Sequence, residues 1–243
     1  MSSSYLAIAQ YALLPALALS LSGIAASFYS LSLKARSAVL HFAAGVIISV
    51  VAVEILPQVV RYRNWLLTLV GFGGGIVLML LIRQFTERAE HQAPSRQMPV
   101  LPITFLLVLG IDVVVDGILL GVGFAAGAKE GRLLAYALGI ESISLGLATA
   151  TTLTQTGLPR GRSISLLIGL AVLFLVSSVG GATLLHNLSP TGLDLVLSFG
   201  LAALLFLVTE ELLQEAHIAQ EPAWLTATFY GGFLLFLLLG MLG

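Results

Sequence analysis

Three acids on two consecutive apolar segments, Asp112, Asp116 and Glu141, are the side chains best placed to do chemistry. No Lys or Arg lies between Leu101 and Ala128 or between Leu133 and Leu158, so neither segment supplies a base. A charged side chain in hydrocarbon costs at least ~2.5 kcal/mol, and acids held there normally line a bundle interior or a water-filled path. Protons or a bound cation must neutralise them, and a cation site is the reading we favour. Asp112 and Asp116 are four residues apart, one turn along one helix face, and Gly117, Gly121 and Gly123 would let a neighbouring helix approach closely. Ser142 and Ser144 flank Glu141, and Ser177 and Ser178 interrupt a later apolar run. Their neutral oxygens suit the coordination shell of a hard cation.

The elements that must position these residues follow from composition. The 243-residue chain is 58% hydrophobic and 9% charged, and its mean hydropathy is +1.03. Those values lie outside the range of soluble domains and predict an all-α polytopic membrane protein folded as one domain over residues 1–243. A net charge of −1 gives no electrostatic case for nucleic acid as a partner, and the lack of cysteine excludes disulfides and thiolate metal sites. The amino end lacks the basic leader of a signal peptide, so the first apolar stretch is expected to remain as a span. Runs of roughly 20 apolar residues, enough to cross ~30 Å of hydrocarbon, predict eight helices. They cover residues 5–30, 37–60, 65–83, 101–127, 133–156, 163–186, 194–217 and 223–242, with Pro15 kinking the first and a polar cytoplasmic loop over 84–100.

Lys34, Arg36, Arg83, Arg88, Arg96, Arg160 and Arg162 fall in odd-numbered loops; Arg61, Arg63, Lys129 and Arg132 fall in even-numbered ones. The positive-inside rule then places both termini outside, in a cell (inner) membrane. Asp116 and Glu141 come to similar depths, roughly 16 Å and 12 Å below the outer ends of their helices. Phe42 precedes Glu54 by the same interval as Phe199 precedes Glu211, and two aliphatics follow each acid. This suggests an inverted repeat, three helices on either side of a central pair in a 3+2+3 bundle, as in secondary transporters.

At this level the chain resembles the ZIP (Zrt/Irt-like) divalent metal transporters, in a bacterial branch with a divergent site. The resemblance rests on Asp112-Val-Val-Val-Asp116-Gly117 and the following Ile-Leu-Leu-Gly121, on Ile140-Glu141-Ser142-Ile-Ser144, on Phe42-Ala-Ala-Gly45 to Leu56-Pro57, on Gly157-Leu-Pro-Arg-Gly-Arg, and on Glu210-Glu211 to Glu215-Ala-His217. It implies that Asp112, Asp116 and Glu141 ligate a divalent metal with help from Ser142, Ser144 and Ser177. It also implies that Glu54, Glu210 and Glu211 act as relay acids on the way in and out. Helices one, four, five and six would move against a scaffold of two, three, seven and eight that can pair into a homodimer. The departures are Val113 for the family's Asn, Leu145 for its fifth-helix Glu, Ser142 for an Asp and Ser177 for a sixth-helix Glu. Without those bridging carboxylates one metal site is expected, not two. The prolines that the family has opposite Val115 and Ser144 are absent, which should straighten both helices.

The resulting expectation is a transporter, not an enzyme, that carries zinc, manganese or iron(II) across the lipid bilayer into the cytoplasm by alternating access. Oxygen-only ligation narrows the usual preference for zinc. Three other readings stay open: an intramembrane protease built on Glu210-Glu211 and His217, a proton-coupled organic cation exchanger, and a family member that binds metal without moving it. His41 and His217 are expected to be interfacial residues, His186 and Asn187 loop residues, and His91 a lone loop histidine.

Overall fold

The computed structural model describes residues 2–28, 32–91, 103–155, 157–185, 188–217 and 223–242. Among these the chain is all-helical, with eight helices long and apolar enough to cross a membrane, which fits an integral membrane protein. They are α1 (Ser2–Ala26), α2 (Leu33–Val50, continued by Val51–Ile55 and Leu56–Tyr62), α3 (Trp65–His91), α4 (Ile103–Ala126), α5 (Ala128–Gln155), α6 (Arg160–Leu185), α7 (Pro190–Phe206, continued by Leu207–Leu212 and Leu213–Ala216) and α8 (Ala223–Leu242).

Helix ends fall where local chemistry places them. Ser32 accepts from Ala35 N at the head of α2, Ser189 from Gly192 N at α7, and Asn64 from Leu67 N at α3, each satisfying an amide that the first turn leaves unpaired. Pro15 stands inside α1 without ending it, while α4 and α5 run unbroken and proline-free. Within the helices, Ser20, Ser27, Thr149, Thr151, Thr154, Ser165 and Ser178 return their hydroxyls to the carbonyl one turn back, the local solution open to a polar side chain in hydrocarbon.

One expectation is corrected. Residues 84–91, read as the start of a polar loop, continue α3 to His91. Gln84, Glu87, Arg88, Ala89 and Glu90 are good helix formers, so a helix leaving the membrane has no local reason to stop there. The rest of that loop, 92–100, lies outside the described residues.

Packing divides the helices into two sets. In one, α1 lies against α5 and α6, and α4 lies against α6 and α5; in the other, α2 lies against α8 and α3 against α7. Contacts between sets run through α2 with α5, α4 with α7 and, to a lesser extent, α3 with α4. Small residues set the closeness within each set. A side chain at Gly45 would overlap the Phe229 carbonyl, and one at Gly232 would overlap that of Phe42, so α2 and α8 meet backbone to backbone. Gly117 does the same for α4 and α6, where a Cβ would run into Ser177.

Two short π-helical turns, Val51–Ile55 in α2 and Leu207–Leu212 in α7, break the regular spacing, and both carry acids: Glu54 in one, Glu210 and Glu211 in the other. An inserted π turn rotates the downstream residues about the helix axis and is a frequent mark of functional positions.

Candidate functional site

Four acids converge at the boundary between the two helix sets. Asp112 and Asp116 come from α4, Glu141 from α5 and Glu211 from the π turn of α7. The Asp112 and Glu211 carboxyls face each other at close range. Asp116 has Glu141, Asp112 and Glu211 as charged neighbours, and Glu141 has Asp112. Asp116 and Glu141 are 2% and 5% exposed, while Asp112 and Glu211 are half-buried.

The buried oxygens here are poorly satisfied. Asp116 Oδ1, Glu141 Oε2 and Ser144 Oγ all lack a hydrogen-bond partner. Leaving such groups buried and unmade costs ~1–3 kcal/mol each, more when charged, unless something fills the place. Ser142 is buried on the same stretch of α5. Ser177 lies against Gly117, one residue from Asp116, and donates to the Phe174 carbonyl at 3.0 Å, which leaves its lone pairs as acceptors. The carboxylates approach without closing into a finished cage: no group of three or more His, Asp or Glu among the described residues is arranged to hold a metal as it stands. A cation binding here would have to draw the side chains inward.

A base does reach the edge of the cluster, from a helix the spacing did not implicate. Arg83 of α3 pairs with Glu210 and is a charged neighbour of Glu211, and Gln214 donates to Glu210 Oε2 at 2.7 Å. The Glu210-Glu211 pair is thereby split, one acid held by a cation and the other facing a carboxyl.

Glu54, the other expected relay acid, is far from these four in the contacts it makes. It is buried in the π turn of α2, with Oε1 3.3 Å from Lys129 Nζ. The two histidines expected to be interfacial lie beside each other, with the His41 and His217 rings 5.2 Å apart. His41 donates from Nδ1 to the Ser37 carbonyl at 2.9 Å and His217 donates to that of Leu213. The side chains of Glu215 and His91 are not described, and His186 and Asn187 lie outside the described residues.

Sequence spacing missed two features. Glu211 was expected to be a relay acid apart from the site, yet it touches Asp112; the only sequence signal was the Phe199 to Glu211 interval. Asp194, 1% exposed near the start of α7, has no hydrogen-bond partner for either carboxyl oxygen, and its polar neighbour is the equally buried Ser198 one turn on. Its four-residue spacing to Ser198 was a readable signal. The positive end of α7 offsets part of its charge.

No protein-family model matches the chain, and no curated protein matches its sequence.

Proposed function

We propose that the chain is a membrane transporter for a divalent metal cation, similar to the ZIP transporters, with Asp112, Asp116 and Glu141 as the cation's ligands. The observation that carries this reading is the convergence of acids with unsatisfied oxygens where the two helix sets meet, with a carboxyl from α4 facing one from α7 across the boundary. A cation taken up there would touch both sets, so its binding energy could bias their relative position, as alternating access requires.

The pattern of packing supports a 3+2+3 inverted repeat. Exchanging α1 with α6, α2 with α7, α3 with α8 and α4 with α5 turns the α2–α8 contact into α7–α3 and the α1–α5 contact into α6–α4. The interval that relates Glu54 to Glu211 also carries the π turn Val51–Ile55 onto Leu207–Leu212. With both termini outside, α1, α4, α5 and α6 form the moving unit, and the scaffold is the surface on which a homodimer would form. The cargo is zinc, manganese or iron(II), carried inward through a cell (inner) membrane. Two or three carboxylates against one divalent ion leave the filled site near neutral, which makes occlusion in lipid feasible.

The protease reading loses support from the split of Glu210 and Glu211 onto different partners, since water activation by a Glu pair needs both on one reacting centre. The deciding experiment is uptake of zinc, manganese and iron(II) into proteoliposomes containing the purified protein. Accumulation above protein-free vesicles that fails with Asp116→Asn is the expected result. Equal accumulation by protein and variant would reject the proposal.

A further inference from the structure

The end of the bundle that carries Tyr62, Ala126 and Leu242 holds a polar cluster that the four central acids do not explain. Glu54 is 8% exposed, and its Oε1 lies 3.3 Å from Lys129 Nζ without forming a hydrogen bond. The Lys129 ammonium donates instead to the Gly240 carbonyl at 2.7 Å. Gly240 sits in the last turn of α8, where carbonyls have no intrahelical donor and the helix dipole is negative. Next to Lys129, Glu130 accepts from Gln58 Nε2 at 2.6 Å and brings a second carboxylate to the same rim.

These bonds share one property: each joins the first turn of α5 to α2 or α8, so each crosses the boundary between the two helix sets. At the opposite end of the bundle three bonds stay within one set. Ser37 donates to the Ala216 carbonyl, Thr228 to that of Ala38, and Arg83 pairs with Glu210. The α5 end is therefore tied across the boundary.

We propose that the Glu54 carboxylate and the Gly240 carbonyl form a receiving station for a cation, filled in this state by the Lys129 ammonium. An arriving divalent cation displaces the ammonium, and that displacement releases α5 from α2. The station takes the same class of ligand as the central site, and in naming a divalent cation it rests on the transporter reading. A Lys head is a compact charge on a flexible stem, suited to vacating a site that it does not seal. The Lys129 side chain is 35% exposed, so its pairing is partly screened, and a divalent ion brings twice the charge to the same oxygens.

The chain has no cysteine, so spin labels at Arg61→Cys and Arg132→Cys, exposed positions on α2 and α5, report the separation across the boundary. In the reconstituted protein the unchanged station should give one short label distance, and so should Lys129→Arg, which keeps the charge. Lys129→Met should add a population at longer distance. Manganese(II) alone is then the probe of occupancy, in a background carrying Asp116→Asn and Glu141→Gln so that the central acids do not compete. It should relax the label at position 132 in Lys129→Met several-fold more than with Lys129 present, and the effect should vanish when Glu54→Gln is added. Unchanged distances in Lys129→Met, or manganese relaxation that survives Glu54→Gln, would overturn the proposal. Neither readout requires transport. If the labels separate as expected while the unmodified chain takes up no metal, the cargo assignment fails and the Lys129 station stands.

Discussion

Acids at the middle and at the two π-turn flanks of this bundle are met in opposite ways. Glu54 has Lys129 and Glu210 has Arg83, each drawn from another helix. The charged groups that bear most on Asp116 and Glu141 are other acids, and both retain buried oxygens without partners. The contrast extends to hydroxyls. Most serines and threonines in these helices are satisfied by their own backbone one turn back, whereas Ser144 beside Glu141 is not. Partnerless buried oxygens also occur at Asp194, Ser49, Ser163 and Ser198, so what sets the middle apart is the convergence of acids from α4, α5 and α7, the feature on which the proposed cation site rests.

The largest effect should come from the unpaired acids. Asp116→Asn and Glu141→Gln keep shape while removing charge, and each should lower metal uptake by an order of magnitude or more, with the yield of folded protein little changed. Loss of folding without loss of uptake per folded molecule would make these acids structural and erase the contrast. Glu211→Gln should come next. It removes the acid that meets Asp112 across the boundary, so turnover at saturating metal should fall several-fold while equilibrium affinity changes less; a dominant loss of affinity would place Glu211 among the primary ligands instead. Asp112→His tests the chemistry of the site more than its strength. Exchanging an oxygen for an imidazole ligand should shift competition among zinc, manganese and iron(II) toward zinc, and an unchanged ranking would remove Asp112 from the ligand set. The smallest effect belongs to the paired, part-exposed flank. Arg83→Gln should cost no more than ~1 kcal/mol of stability, since half-solvated ion pairs contribute little, and should leave metal affinity unchanged. A large affinity loss there would mean that Arg83 tunes the central acids directly.

The sequence carried the spans because each is a near-continuous apolar run between short polar turns, and it carried the shared face of Asp112 and Asp116 because four residues make about one helical turn. It could not carry the meeting of Asp112 with Glu211. That contact depends on how α7 packs against α4 and on a π turn whose extra residue changes the facing of Glu211, and hydrophobic periodicity reports neither. Lys129 and Arg83 were countable only as markers of topology, since a base near a helix end shows nothing of the acid it will reach on a distant helix. His41 and His217 were weighed singly for the same reason, being far apart in sequence and joined only by the packing of α2 against the end of α7. The continuation of α3 to His91 was missed because a polar stretch at the end of a membrane span reads as a loop whether or not its residues favour helix.

The central claim is that the mid-bundle acids hold a divalent cation. Equilibrium titration of the purified protein with manganese(II), followed by the loss of the free-ion paramagnetic signal and run in parallel on Glu141→Gln, tests it most directly. The account predicts one saturable site in the unmodified chain that is lost in the variant while the two proteins unfold at similar temperatures. Indistinguishable titrations, or no saturable binding to either protein, would contradict it.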